Sequence, residues 1–305
     1  LRPLDPAGAP SRGERGADRL PGRELTVAAK GISLHIGLNR VDPKQYEGWD
    51  GALGACEQDA RDMKRLADGL GYRSTLLLSE DGTSRKVVNA VKAAAKALVA
   101  GDVFLLTYAG HGGQVPDGNG DEARADTDEL GEFPDAFDET WVLYDRMLVD
   151  DELFDLWAGF AAKVRIIVIS DSCHSGTVTR AAPWERADDA PSRRIPLDVE
   201  DRTYRAHKRT YDQVQRRVPT RTKSAVKASV VLISGCMDNQ TSADGPVNGR
   251  FTGRLLQVWN DGAFRGDLAR LHKGIKTGMP PNQTPNLYTV GAANRAFAAK
   301  QAFQI

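Results

Sequence analysis

Two mainly apolar runs, residues 103–108 and 164–170, constrain the fold of this chain more than any other feature. Runs of this length without polar alternation are typical of strands that are buried on both faces of a sheet. Around them, shorter strand patterns alternate with segments of helical period, which indicates βαβ crossovers. The sequence therefore predicts an α/β fold with a mostly parallel central sheet and helices on both faces. In such sheets, ligands bind beyond the carboxyl ends of the strands.

The loops that follow these two runs carry the residues with the strongest chemistry. The first loop holds His111 between glycines, and the second holds Cys173. A thiolate is a strong nucleophile, and a nearby imidazole can take the thiol proton and later give it to a leaving amine. The N–H groups of Gly112 and Cys173 are then the natural pair to bind a developing oxyanion. The same residues also fit a buried structural cysteine and a surface histidine, and spacing alone does not separate these interpretations.

Composition narrows the classes of function. The 305 residues include 41 Lys or Arg and 41 Asp or Glu, so no overall positive charge favours nucleic acid. No apolar stretch approaches the roughly 18 residues that a membrane-spanning helix needs. Three cysteines cannot form a disulfide framework, so the chemistry of a free thiol has to be considered. We expect a cytoplasmic monomer without nucleic-acid or membrane partners.

The neutral total conceals two blocks of opposite charge. Between residues 117 and 155 there are fifteen acidic residues and two basic ones. Between residues 177 and 227 there are thirteen Lys or Arg and seven acidic residues. Such blocks are usually solvated loops, but these two flank the His111 and Cys173 loops and are therefore candidates for a role in function.

The two loops resemble the two catalytic motifs of the metacaspases, which are caspase-like cysteine peptidases: residues 108–114 (YAGHGGQ) and residues 171–176 (DSCHSG). Three further segments resemble parts of the same family: residues 53–60 (LGACEQDA), 137–140 (FDET) and 234–244 (SGCMDNQTSAD). The motifs stand in the family's order, and the resemblance covers most of the chain. It implies a three-layer caspase-like fold.

The resemblance also implies a cysteine endopeptidase in which His111 is the general acid and base and Cys173 is the nucleophile that forms an acyl-enzyme. It implies protein or peptide substrates that are cut after Arg or Lys. A cationic side chain needs a carboxylate at the end of its pocket, and Asp59 and Asp171 match the family's acidic pocket positions. Cys56 matches another pocket position. The family often has Ser where this chain has Ala109, which removes one hydroxyl from the pocket.

This chemistry requires no cofactor, but the resemblance implies calcium as an activator, because many relatives bind it through a carboxylate cluster in the acidic block. The helical calcium-loop motif itself fails, since its sixth position is Glu122 rather than Gly. Relatives also tend to supply an acid a few residues beyond the nucleophile, where this chain has Arg180. The candidate calcium ligands are Asp126, Asp128, Asp138 and Glu139.

We predict a disordered N-terminal arm or prosegment at residues 1–28 and a single caspase-like peptidase domain at residues 29–305. Within the domain, residues 29–179 resemble the large-subunit half, residues 180–227 form a basic linker loop, and residues 228–305 resemble the small-subunit half. A peptidase that cuts after basic residues could cut this linker in itself, and the chain would then be a zymogen. The alternative is an uncut insertion. Plausible cleavage positions are Arg193–Arg194, Arg216–Arg217 and Arg221.

Two other functions remain open at this point. One is a catalytically silent caspase-like scaffold that binds protein partners through the same cleft. The other is a redox sensor, which would need a second thiol beside Cys173. Neither Cys56 nor Cys236 can be placed there from the sequence.

Overall fold

A computed structural model describes residues 28–118, 137–173, 191–217, 225–236, 240 and 242–305. The N-terminal arm at residues 1–27, Asp126, Asp128, Arg180 and Arg221 lie outside these residues. The predictions made for them therefore stay predictions.

A six-stranded sheet forms the centre of the molecule, and its strands are β1 (Gly31–Gly37), β2 (Arg73–Leu78), β3 (Val103–Ala109), β7 (Arg165–Asp171), β8 (Ser229–Ser234) and β9 (Asn286–Gly291). Their order across the sheet is β2-β1-β3-β7-β8-β9. The first five strands are parallel, and β9 pairs with β8 in the antiparallel direction. This confirms the predicted α/β fold with a mostly parallel sheet.

The sheet separates the hydrophobic core into two layers, and helices cover the layer on each face. Side chains that alternate along β3 point to opposite faces, so Phe104 and Leu106 join one core and Val103 and Leu105 join the other. The first core is completed by α2 (Ser84–Ala97), α3 (Asp150–Ala158) and α4 (Leu197–Arg217). The second core is completed by α1 (Cys56–Gly69), α5 (Arg250–Trp259), α6 (Leu268–Thr277) and α7 (Arg295–Ala298).

A second, antiparallel sheet lies next to the carboxyl ends of the central strands. It consists of β4 (Gly112–Pro116), β5 (Phe137–Val142) and β6 (Met147–Val149), in that order. The sequence analysis treated the segment after the first apolar run as a loop, and this is wrong for two parts of it, which form β4 and β5. Five consecutive pairs, from Gly112 with Trp141 to Pro116 with Phe137, build a ladder between these two strands.

The prediction of a basic loop at residues 180–227 is also wrong in part, because α4 is a 21-residue helix, kinked at His207, within that segment. Its buried face includes Val199, Thr203 and Tyr211. Its charged residues form ion pairs one helical turn apart, which lower their mutual repulsion. These pairs are Asp198–Arg202, Asp201–Arg205, Lys208–Asp212 and Asp212–Arg216.

Across the residues that the structure describes, every helix is too short or too polar to cross a lipid bilayer.

Candidate functional site

The register of the central sheet brings the two candidate loops together. Strands β3 and β7 are adjacent and parallel, and Ala109 pairs with Asp171 at their carboxyl ends. His111 and Cys173 each lie two residues beyond this pair. Both side chains are buried, at 5% and 0% exposure. The loop residues that the sequence selected therefore lie at one edge of the sheet, where the α/β rule places a ligand.

Residues 191–195 of the same chain run across this edge of the sheet. The N–H groups of Gly112 and Cys173 both donate hydrogen bonds to the carbonyl oxygen of Arg193, at 3.0 and 3.1 Å. These are the two donors that the sequence analysis assigned to an oxyanion. The carbonyl carbon of Arg193 thus lies where a peptide carbonyl would be polarised for nucleophilic attack.

The backbone on the N-terminal side of Arg193 pairs with the loop after β8. Arg193 N–H donates to Ser242 O at 2.9 Å, and Asp244 N–H donates to Pro191 O at 2.9 Å. Ser192 and Ala243 form an antiparallel bridge between these bonds. An extended peptide that adds itself to an exposed strand is held in this way, mainly by main-chain bonds.

The sulfur of Cys173 lies beside this pairing. It is 3.6 Å from Ser242 O, the same carbonyl that accepts the Arg193 N–H. The Ser242 amide also contacts the sulfur. The thiol therefore contacts the same residue, Ser242, that pairs with the backbone of Arg193.

The guanidinium of Arg193 is fully buried in a pocket of three carboxylates. Its nitrogens lie 2.6 Å from Asp59, 2.9 Å from Asp171 and 2.8 Å from Asp244. Gly249 gives it room, because a Cβ at that position would lie 2.5 Å from the guanidinium carbon. A planar cation with several donors is the ligand that such a set of carboxylates binds best.

Two of the three carboxylates are held by residues of the segment after β8. Asp171 accepts the hydroxyl of Ser242 at 2.6 Å, and both the N–H and the hydroxyl of Thr252 at 3.0 and 2.7 Å. Asp59 accepts Asn248 Nδ2 at 2.9 Å. These bonds hold the acidic groups in position while a cation enters or leaves, which keeps the pocket preformed.

The pKa values in the pocket follow from burial and from the neighbouring charges. Burial raises the pKa of Asp59 to about 7, and the Arg193 guanidinium opposes this rise. Burial alone would lower the pKa of Arg193, but Asp171, the Cys56 thiol, Asp59 and Asp244 raise it well above its ordinary value. Arg193 is therefore charged at every accessible pH, and the pKa of Asp59 lies near neutrality.

His111 is oriented by the loop after β1. Its Nε2 is 3.2 Å from Gly51 O, and its ring meets Trp49 edge-on with 4.7 Å between the ring centroids. Nδ1 is buried and has no hydrogen-bond partner among the described residues. Burial and, to a smaller extent, the Arg193 charge lower the pKa of His111 to about 4 against the opposing effect of the Gly51 and Arg194 backbone groups, so the imidazole is neutral at pH 7. A neutral ring with Nε2 bound to a carbonyl leaves Nδ1 as the proton acceptor.

The remaining predicted pocket residues lie around the same edge of the sheet. Cys56 is the first residue of α1, one turn before Asp59, and burial raises the pKa of its thiol well above the ordinary value. Ala109 is buried at the end of β3, in register with Asp171. The structure thus brings Cys56, Asp59, Ala109 and Asp171 to one end of the sheet.

Cys236 lies next to Cys173, which the sequence could not predict. Its thiol donates to Ser172 O at 3.4 Å. A hydrogen bond to the Cys173 thiol, together with burial, raises the pKa of Cys236 well above its ordinary value. The second thiol that a redox function requires is therefore present, but it is held in its protonated, less reactive form.

The candidate calcium ligands are only partly described. Asp138 is buried on β5 and accepts a hydrogen bond from Gln215 of α4. Glu139 lies next to it and lines a small cavity together with Cys236. The described part of the chain holds no group of three or more His, Cys, Asp or Glu side chains placed to bind a metal ion. Calcium binding at the acidic block thus stays a prediction.

Sequence reasoning missed several residues of the pocket. Asp244 supplies the third carboxylate, Ser242 holds both Arg193 and Asp171, and Thr252 holds Asp171. Asp244 ends segment 234–244, which the sequence analysis singled out without giving its acid a role. The sequence did contain a signal for Asp244: it is an acidic residue within a family-like motif, and the site was predicted to bind a cation.

Comparisons with known proteins agree with this geometry. A family model described as the caspase domain of C14 peptidases matches residues 41–297. Metacaspase-1A of Neurospora crassa is 26% identical to this chain over 260 residues, which cover 73% of this chain and 53% of that protein. Metacaspase-1 of Saccharomyces cerevisiae is 28% identical over 261 residues, which cover 74% of this chain and 57% of that protein. The chain spans about half the length of the curated relatives it matches.

A solved structure is also similar. The crystal structure of protein GSU0716 from Geobacter sulfurreducens is 48% identical in sequence and superimposes with a TM-score of 0.78. The match covers 89% of this chain and 97% of the other. The architecture described above is therefore shared with an experimentally determined protein over nearly its whole length.

Proposed function

Because the chain belongs to the caspase domain family, a family of cysteine peptidases, we propose that it is an endopeptidase that hydrolyses peptide bonds after Arg or Lys, and that it cuts itself after Arg193. One observation carries this proposal. Arg193 lies in the site as a substrate residue would, with its guanidinium among three carboxylates and its carbonyl oxygen on two backbone N–H groups.

The proposed mechanism uses a Cys-His dyad. His111 Nδ1 takes the proton of the Cys173 thiol, and the thiolate attacks the carbonyl carbon of the residue in the carboxylate pocket. The negative charge that develops on the carbonyl oxygen is stabilised by Gly112 and Cys173 N–H, each such donor contributing roughly 10²–10³ in rate. The C–N bond then breaks, His111 protonates the leaving amine, and water hydrolyses the thioester.

The preference for a basic residue follows from charge. Three carboxylates around one position leave a surplus of negative charge when no cation is present, and an acidic or apolar side chain would not offset it. Residues 191 and 192 are both exposed, so the side chains N-terminal to Arg193 meet few protein groups. Selection on that side of the cut bond therefore rests mainly on the basic residue itself.

The same geometry supports self-processing between Arg193 and Arg194. The competing interpretation is a caspase-like scaffold without activity. In that case residues 191–195 would block the cleft permanently. The presence of both His111 and Cys173 favours catalysis, because a scaffold has no need to keep either.

The experiment compares Arg-ended and Asp-ended fluorogenic peptides on the whole chain, with calcium and with chelator. We expect hydrolysis of the Arg peptide only, and no turnover in Cys173→Ala. Intact-mass analysis should find the Arg193 cut in the active protein and an uncut chain in the variant. Residual hydrolysis in Cys173→Ala would refute this nucleophile, and equal hydrolysis of both peptides would refute the carboxylate pocket. Calcium activation is refuted if the rate is the same in chelator.

A further inference from the structure

The C-terminal side of the Arg193–Arg194 bond is held as firmly as the N-terminal side. Gly112, the first residue of β4, contacts both sides: its N–H donates to Arg193 O at 3.0 Å, and its carbonyl accepts Ile195 N–H at 3.0 Å. Gly112 also forms a parallel bridge with Arg194. The peptide bond to be cut is thus fixed on both sides by one residue of β4.

Side chains also fix Arg194 and Ile195, the two residues that follow the bond to be cut. Glu200 of α4 is buried, and its two carboxylate oxygens accept Arg194 Nη2 at 3.0 Å and Gln114 N–H at 2.7 Å. Ile195 is 1% exposed. Gly113 makes this packing possible, because a Cβ there would lie 2.7 Å from both Ile195 Cγ2 and Glu200 Oε2.

The C-terminal end of α4 is attached to the antiparallel sheet by contacts that do not involve the Arg193–Arg194 bond. Gln215 Nε2 donates to Pro116 O at 3.0 Å, and Gly118 N–H donates to Gln215 Oε1 at 2.9 Å. Met147 N–H donates to the hydroxyl of Tyr211 at 3.3 Å. Breaking the Arg193–Arg194 bond removes none of these contacts, so α4 remains in place after the cut.

From these contacts we infer that Glu200, Ile195 and α4 form a latch that retains the leaving amine of Arg194 beside the acyl-enzyme, so that self-cleavage is reversible. The inference rests on the proposed function. Acylation breaks the Arg193–Arg194 bond, forms the Cys173 thioester of Arg193 and leaves the Arg194 amine protonated by His111. Water then yields the Arg193 carboxylate and the free thiol. Attack by the neutral Arg194 amine on the thioester instead restores the peptide bond: the amine gives one proton to His111, which returns it to the departing Cys173 sulfur.

Proximity favours the second route. A group held in place next to its reaction partner can act with an effective concentration of about 10⁵–10⁸ M, which exceeds that of bulk water. The latch therefore keeps the cut chain in equilibrium with the intact chain. It also keeps Arg193 in the pocket, where it competes with external substrates. Glu200 is a positioning residue in this scheme, since it acts through Arg194.

The test measures the ratio of cut to intact chain at its plateau, by intact mass, in the whole active protein. Glu200→Gln removes the charge that holds Arg194. Asp201→Asn is the matched control, because Asp201 is the next residue of α4 and pairs with Arg205 on the exposed face. We expect wild type and Asp201→Asn to retain a measurable intact fraction, and the cut-to-intact ratio of Glu200→Gln to be at least tenfold higher. Equal ratios in all three proteins would overturn the latch.

The reverse reaction provides a second measurement. Purified cut wild-type chain should regenerate intact chain on incubation, and alkylation of Cys173 should prevent this. Regeneration in Glu200→Gln should fall to a tenth or less. If the wild type hydrolyses an Arg peptide and cuts itself but never regenerates intact chain, the latch alone is wrong. If neither the wild type nor Glu200→Gln is ever cut at Arg193, the proposed self-processing is wrong, and the latch is then wrong as well.

Discussion

Two buried arginines lie at opposite ends of the central sheet, and their surroundings differ in kind. At the amino end of β7, Arg165 donates to neutral backbone carbonyls: Gly101 O at 2.9 Å and Gln304 O at 2.7 Å. At the carboxyl end, Arg193 is held by three carboxylates. Burial lowers the pKa of Arg165, whereas the carboxylates raise that of Arg193.

This difference separates a structural cation from a bound one. The carbonyls around Arg165 carry no net charge, so removing the arginine would leave polar groups that water can satisfy. The carboxylates around Arg193 would be left with mutual repulsion, which either another cation or protonation of Asp59 would relieve. Arg165 therefore belongs to the fold, and Arg193 behaves as a ligand that the chain itself supplies.

The largest effect is expected from Asp171→Asn, which removes charge from one end of the sheet only. The kcat/KM for an Arg-ended peptide should fall about 100-fold, since a charged hydrogen bond of about 2–3 kcal/mol is lost in the transition state. A peptide with citrulline, the neutral isostere of Arg, should lose far less. Peptide kinetics with both substrates measure the difference.

Asp102→Asn is the control from the other end of the sheet. Asp102 is buried and accepts the backbone N–H groups of Lys30 at 2.8 Å and Val99 at 2.9 Å. This variant should lose about 1 kcal/mol of unfolding free energy and keep its preference for Arg over citrulline. Equal loss of that preference in both variants would mean that the pocket charge has no special role.

Exchanging each arginine for Gln should sharpen the contrast. Arg165→Gln should lower the free energy of unfolding by about 2–3 kcal/mol, because hydrogen bonds from a charged donor are lost, and leave peptide kinetics unchanged. Arg193→Gln vacates the pocket, so kcat/KM for an external Arg peptide should rise about tenfold, equivalent to about 1.4 kcal/mol. Urea unfolding and peptide kinetics on both variants test this. A loss of stability without a gain of activity in Arg193→Gln would make it a structural arginine like Arg165.

The sheet and the two loops could be predicted from the sequence because their signals are local. An apolar run predicts a buried strand, and adjacent parallel strands end at the same edge of the sheet, which places His111 and Cys173 together. Asp59 and Asp171 were found through the motifs that contain them. Each of these inferences needs only a short stretch of chain and the general rules of α/β folds.

The rest of the site depends on contacts between distant segments. Asp244 reaches Arg193 across 51 positions of sequence, and Gly51 O reaches His111 across 60. The helix α4 was missed because its many charges are typical of a solvated loop, although they pair along the helix. No local pattern distinguishes Arg193, which enters the pocket, from the other basic residues of the linker.

The smallest effect expected is a pH dependence at the carboxyl end of the sheet. The pKa of Asp59 is raised to about 7 with Arg193 in place, and the guanidinium lowers it, so the empty pocket has a pKa above that value. As pH falls through this range, Asp59 gains a proton and attracts the substrate's guanidinium less. The kcat/KM for the Arg peptide should therefore decrease severalfold from pH 8 to pH 6, relative to the citrulline peptide. Burial lowers the pKa of His111 to about 4, so the imidazole does not titrate between pH 8 and pH 6 while Arg193 occupies the pocket. Asp59→Asn should abolish the relative decrease; if it persists in that variant, a different group controls Arg binding.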